Sequence, residues 1–148
     1  MEKHILSLDL GTTAIKVAIV DRNGKMLATS TQEYKLLTPD TFSVELPVET
    51  YWEAFKKGLA DALVKSGVSG DSLACMGISA QGETLILIDE QGKPLRNAIV
   101  WMDNRAQKEA DELAAVFPPA TVYPVTGQVS IVPTWPASKL LWIRINEP

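Results

Sequence analysis

The cluster Asp21-Arg22-Asn23-Gly24, set between two strand-like runs, constrains the fold of this chain more than any other feature. Asn-Gly supplies the positive φ angles that a tight turn needs, so the flanking segments must run antiparallel. Before it, Ile15, Val17 and Ile19 alternate with Lys16 and Ala18, the period of a half-buried strand. Earlier still, the apolar run Ile5 to Leu8 ends at Asp9-Leu10-Gly11, which suits a buried strand entering a turn. Lys25 to Glu33 reads as the third strand. The chain therefore begins as a β-meander, followed by an irregular stretch around Thr38-Pro39-Asp40.

Glu49 to Lys65 carries Trp52, Phe55, Leu59, Ala62 and Leu63 at spacings of three and four, one apolar helical stripe with Pro47 suited to its first position. Gly67 and Gly70 end it. A fourth strand is expected over Leu73 to Ser79. Leu85 to Asp89 and Ala98 to Trp101 flank the turn Glu90-Gln91-Gly92-Lys93-Pro94 as another antiparallel pair. Asn104 could cap a helix reaching about Val116, stopped by Pro118-Pro119, and Pro136 to Ile145 begins a last one. Three antiparallel strands, a helix and a further central strand define an α/β domain with a mixed sheet. A purely parallel sheet would want a helix between the first two strands.

At 148 residues the chain suits one domain. Its formal charge of −4 gives no electrostatic reason to expect nucleic acid or an anionic membrane as partner. A phosphate ligand would thus be held by local geometry and a metal. Cys75 is the only cysteine, so no intramolecular disulfide can form, and its apolar run suggests a buried, inert thiol. The N-terminus lacks the apolar core of a signal peptide, and no stretch approaches the roughly 20 apolar residues that span a bilayer. The expected location is the cytoplasm.

Three segments carry candidate chemistry. In Asp9-Leu10-Gly11-Thr12-Thr13, Gly11 permits a sharp turn and close approach of a ligand, and turn amides with two hydroxyls can form an anion-binding concavity. Asp9 can hold Mg²⁺, and Lys16 can reach a phosphate oxygen as a point charge. An ordinary hairpin with a solvated Lys16 is the alternative; no Gly-Lys-Ser/Thr triplet or dinucleotide fingerprint is present. Past the fourth strand, Gln81 offers a donor and an acceptor and Glu83 can accept from two hydroxyls, which suits a polyhydroxylated ligand as well as it suits a plain polar loop. Asp9 and Gln81 should lie at carboxyl ends of central strands, where ligands of open α/β sheets gather. In Trp101-Met102-Asp103-Asn104-Arg105, the indole can pack on a sugar while Asp103 bonds a hydroxyl; otherwise Trp101 is core and Asp103 pairs with Arg105. Trp135 is a wall of the same pocket or loop packing, while Trp52 and Trp142 read as core.

Together these segments resemble the FGGY family of carbohydrate kinases. The likeness runs in order through Asp9 to Lys16, Glu45 to Trp52, Gly77 to Gln81, Asp89 to Arg105, Thr126-Gly127 and Pro136-Ala137-Ser138-Lys139-Leu140-Leu141-Trp142. It implies an actin-like, ribonuclease-H-like fold and transfer of the ATP γ-phosphoryl to a sugar or polyol hydroxyl. By position, Asp9 would serve Mg²⁺, Gly11, Thr12, Thr13 and Lys16 the phosphates, and Gln81, Gly82, Glu83, Trp101, Asp103 and Trp135 the acceptor. Family members have two such domains. Their catalytic base lies beyond the counterpart of residue 148, so residues 1–148 are expected to be a first-domain portion, inactive alone and able to self-associate, for instance as a homodimer. Where glycerol kinases read Gln-Arg-Glu-Thr this chain has Gln81-Gly82-Glu83-Thr84, and where xylulokinases place a histidine it has Glu83. The missing arginine favours an acceptor larger than glycerol. A non-catalytic sugar- or nucleotide-binding module of the same fold, or an actin-like ATPase fragment, are the competing readings.

Overall fold

The computed structural model describes residues 3–148. Along the chain the strands are β1 (His4–Leu10), β2 (Ala14–Asp21), β3 (Met26–Glu33), β4 (Glu45–Leu46), β5 (Leu73–Ala80) and β6 (Ala98–Ile99). The helices are α1 (Val48–Ser66), α2 (Gln107–Val116), α3 (Pro119–Thr126) and α4 (Pro136–Asn146). Although the length suits one domain, the chain forms two compact units: Met1–Lys35 with Pro47–Gln81, and Leu36–Leu46 with Gly82–Pro148. No helix among the described residues is long and apolar enough to cross a membrane.

The first unit is a four-stranded sheet in the order β3-β2-β1-β5, with the first three strands antiparallel and β5 parallel to β1. The mixed sheet expected from the sequence is therefore formed. Ile15, Val17 and Ile19 are fully buried, as their alternation required, and pack with Leu6, Leu8 and Ala62. The turn after β2 differs in detail. Only Gly24 has positive φ (83°); Asp21 Oδ1 accepts from the amides of Asn23 (2.8 Å) and Lys25 (2.9 Å), and Gly24 N–H donates to Asp21 C=O. This is a three-residue hairpin loop rather than a two-residue Asn-Gly turn. The same Asp-x-x-Gly-Lys device recurs in the second unit at Asp89–Lys93, with Gly92 at φ 79°.

Helix α1 lies on the sheet through a face that bulk alone did not reveal. Tyr51, Ala54, Phe55, Leu59 and Leu63 border the core, whereas Trp52 is 61% exposed. Gly58 and Ala62 are the buried residues of α1. A Cβ on Gly58 would sit 2.8 Å from Val17 Cγ2, so glycine there sets how closely helix and sheet approach. Gly58→Val is expected to destabilise the protein by about 1–3 kcal/mol through overpacking, read as a lowered urea midpoint. Pro47 occupies the N-cap position, one before the first helical residue, and Gly67 closes the helix in the left-handed conformation. Cys75 is exposed, contrary to expectation, as are all residues of β5 after Leu73, because α1 packs over β2 and β3 instead.

In the second unit β4 and β6 form a short antiparallel pair. Leu85 and Ile99 exchange both backbone bonds at 2.9 Å, as expected of an antiparallel pair, but Leu85 to Asp89 contributes only isolated bridges and no regular strand. Asn104 does not cap α2: its amide donates to Phe42 C=O and its side chain to Met102 C=O, and the helix starts at Gln107. Pro118-Pro119 stops one helix and starts another, since Pro119 stands at the first position of α3, where its missing N–H costs nothing.

Candidate functional site

In the first unit, parallel pairing of β1 with β5 sets Asp9 opposite Ser79 and Leu10 opposite Ala80, so both strands end together. Gln81 N–H continues the ladder to Leu10 C=O at 2.9 Å. The Gln81 side-chain amide then donates to Gly11 C=O (3.2 Å) and Tyr51 Oη (3.0 Å). Gly11 C=O also accepts from Tyr34 Oη at 2.5 Å, while Gly11 N–H donates to Ala14 C=O at 3.0 Å and Tyr34 N–H to Thr13 C=O. The turn is thus tied through its backbone to the segments at Tyr34 and Gln81, and through the Gln81 side chain to Tyr51. Tyr34 and Tyr51, edge to face at 5.5 Å, had no signal in the sequence as site residues. Burial, with the neighbouring Tyr51 and Asp9, pushes the Tyr34 hydroxyl up to about 12, so it stays a donor.

Asp9 and Lys16 are register partners on β1 and β2, with Lys16 Nζ 3.9 Å from Asp9 Oδ2 and both side chains about half exposed or more. Such a pair is worth little to stability and leaves both charges open to a ligand. No group of three or more His, Cys, Asp or Glu residues gathers among the described residues. A caged metal is thus not the pattern here; one exposed carboxylate beside hydroxyl-bearing residues fits Mg²⁺, which takes one or two carboxylates and fills its shell with water and phosphate oxygens. Buried Gln81 Oε1 has no partner among the described residues, an acceptor left over beside the turn.

The second unit holds the remaining candidates. Glu83 is exposed at φ 60°, the one non-glycine residue with positive φ among those described. It is the centre of a three-residue turn closed by Thr84 N–H to Gly82 C=O at 2.8 Å. That conformation costs roughly 1–2 kcal/mol for a residue with a Cβ, and such strain gathers at functional sites. A Cβ on Gly82 would meet nothing within 4 Å, so the space left by the missing arginine is open. Trp101 is 40% exposed, and its amide donates to Thr84 Oγ1 at 3.1 Å. Trp135 is half-buried at the start of α4.

Asp103 has no exposed surface, and of its two expected roles the pairing with Arg105 is the one formed. Its carboxylate accepts from Val44 N–H (2.6 Å), Arg105 N–H (3.0 Å) and the Arg105 guanidinium (2.8–3.0 Å). Arg105 also binds Glu45 (2.7 Å) and stacks 5.0 Å over Trp142, and Arg96 pairs with Glu45 (2.6 Å) and Glu147. Burial pushes Glu45 up, but bonds from Asn97 and Arg105 and both guanidinium charges outweigh it and hold it below the ordinary value. The ion pair weighed from sequence is formed, and the role left to Asp103 is to position the strand end after Val100.

The comparisons with known proteins agree with this arrangement. The model for the N-terminal domain of the FGGY family of carbohydrate kinases matches residues 4–148. A glycerol kinase of Thermococcus gammatolerans is 33% identical over the whole chain, which spans 30% of that protein's length. A xylulose kinase from Brucella ovis superposes with a TM-score of 0.88 (27% identity, 96% of this chain, 29% of that one). A gluconate kinase from Lactobacillus acidophilus does so at 0.87 (28% identity, 99% and 29%). The fold is that of the actin-like ATPase sugar kinases. The mixed sheet, the Asp9 to Thr13 turn beside Gln81 and the match over residues 4–148 converge on one assignment: this chain belongs to the FGGY family of carbohydrate kinases, as N-terminal domain sequence.

Proposed function

We propose that the protein carrying this chain transfers the γ-phosphoryl group of ATP to a hydroxyl of a sugar or polyol, and that residues 1–148 are the front part of its first domain. The observation that carries this reading is the joining of Asp9-Leu10-Gly11 to Gln81 at the ends of neighbouring parallel strands, a common seat for phosphates. Gly11, Thr12, Thr13 and Lys16 take the phosphates and Asp9 takes Mg²⁺, whose charge, when bound, offsets that of the phosphoryl oxygens. Gln81, Gly82, Glu83, Trp101 and Trp135 take the acceptor, Trp101 as an apolar wall and Glu83 as a paired acceptor for hydroxyls. The work of these residues is positioning and charge placement rather than covalent chemistry. Open space at Gly82 favours an acceptor with more carbons than glycerol.

A panel of polyols, ketoses and sugar acids, tested with the full-length protein, ATP and Mg²⁺ by ADP release, checks the activity. At least one should be phosphorylated, with loss of turnover on chelation; no transfer to any acceptor, with binding retained, returns the protein to a binding module. In that assay Glu83→Ala should raise the acceptor KM about tenfold and leave the ATP KM unchanged, the signature of a lost ground-state contact. Unchanged acceptor KM and turnover would remove Glu83 from the acceptor site.

A further inference from the structure

Lys139 is fully buried, yet among the described residues no carboxylate bonds it directly. Its ammonium donates to three backbone carbonyls: Val100 (3.0 Å), Trp101 (3.2 Å) and Glu83 (3.3 Å). Those three bonds use all the donors an ammonium has. They join the strained turn at Glu83 to the end of the β6 segment at Trp101, two stretches whose side chains the proposed function places on the acceptor. Lys139 also stands in the first turn of α4, where the helix dipole disfavours a cation. The three carbonyls are what offsets that cost, since they take every proton the ammonium can donate.

We infer that Lys139 is a positioning residue for the acceptor: by gripping the carbonyls of Glu83 and Trp101 it holds the Glu83 turn and the indole in their binding geometry. This rests on the kinase reading above for its functional consequence, though not for the clamp itself. The neutral amine has two donors, one fewer than the carbonyls require, so the grip loosens when the proton leaves. Burial lowers Lys139 to about 8, against the raising influence of Asp103 and Glu83, with Arg105 lowering it further. Of the other charged groups at α4, Arg105 stacks over Trp142 and is paired with Asp103 and Glu45, and Arg96 pairs with Glu147 at the helix end.

The test uses the full-length protein, wild type and Lys139→Met, over two pH units either side of 8. In the wild type, kcat/KM for the acceptor should fall above about pH 8 while the ATP KM stays level. In Lys139→Met the acceptor KM should be raised about tenfold or more at every pH, with the fall above pH 8 gone. A variant with wild-type acceptor KM, one that keeps the alkaline fall, or a parallel rise in both substrates' KM overturns the inference. Tryptophan fluorescence of the wild type minus that of Trp101→Phe, titrated over the same range, reads the clamp without any turnover. A step near pH 8 that is absent in Lys139→Met supports the clamp even if no acceptor is phosphorylated, in which case the kinase reading alone fails. Should Lys139→Met not fold, the absence of that step in the wild type overturns the inference by itself.

Discussion

Asp103→Ala is expected to destabilise the protein by about 3–5 kcal/mol, the largest stability loss of any single truncation in the second unit. The carboxylate is fully buried and satisfies Val44 N–H, Arg105 N–H and the Arg105 fork together. Removing it leaves a guanidinium only 7% exposed with Glu45 as its remaining carboxylate, and Glu45 already serves Arg96 and Asn97. The uncompensated charge, rather than the lost contact, dominates the cost. Asp103→Asn keeps the shape and should still lose most of that stability, because a neutral amide cannot balance Arg105. Urea denaturation of both variants and of Arg105→Met, as a double-mutant cycle, measures the coupling. A coupling below about 0.5 kcal/mol would show that the pair is replaceable. Acid acts on the same network through Glu45. Its folded pKa lies below the unfolded value of 4.5, so its contribution is complete above 4.5 and is lost as pH falls through the folded value.

The network also shows what the sequence could and could not convey. Asp103 followed two residues later by Arg105 allowed either a sugar ligand or an ion pair, and only burial distinguishes them. The strands of the first unit were legible because Ile15, Val17 and Ile19 bury one face of β2 and Lys16 and Ala18 do not. The face of α1 was misread at Trp52 because a stripe counted by bulk overlooks Gly58, whose lack of a side chain is what makes it the contact. Strand β4 is two residues long and held by pairing with β6, so no periodicity could announce it. Helix α3 was hidden by Pro118-Pro119, since proline marks a stop and a first helical position equally well. Lys139 carried a signal that went unused: a lysine beside Ser138 at the head of an apolar helix, both fully buried. Its partners are backbone carbonyls, which have no residue identity to read.

Gly11→Ala is expected to lower turnover about 100-fold while leaving most of the first unit's stability intact. A Cβ at this position would lie 2.8 Å from the Ala14 carbonyl oxygen, a backbone atom that cannot rotate away as a side-chain end could. That same oxygen accepts the Gly11 N–H at 3.0 Å, so relieving the clash means opening the turn. Opening it moves the Gly11 carbonyl away from Tyr34 Oη and the Gln81 amide, which join the turn to β3 and to the end of β5. The core residues Ile15, Val17 and Leu8 lie beyond the turn and stay packed, so the damage is to geometry more than to folding. Displacing phosphate-holding groups by about an ångström is enough to lose roughly two orders of magnitude where catalysis is positioning. The comparison variant is Tyr34→Phe, which removes one of the two bonds to the Gly11 carbonyl without a clash and should cost less. Steady-state kinetics of the full-length protein, with thermal melts alongside, decide it. Wild-type turnover in Gly11→Ala would mean that phosphate is not held at this turn, and the assignment of Asp9 to the metal would fall with it.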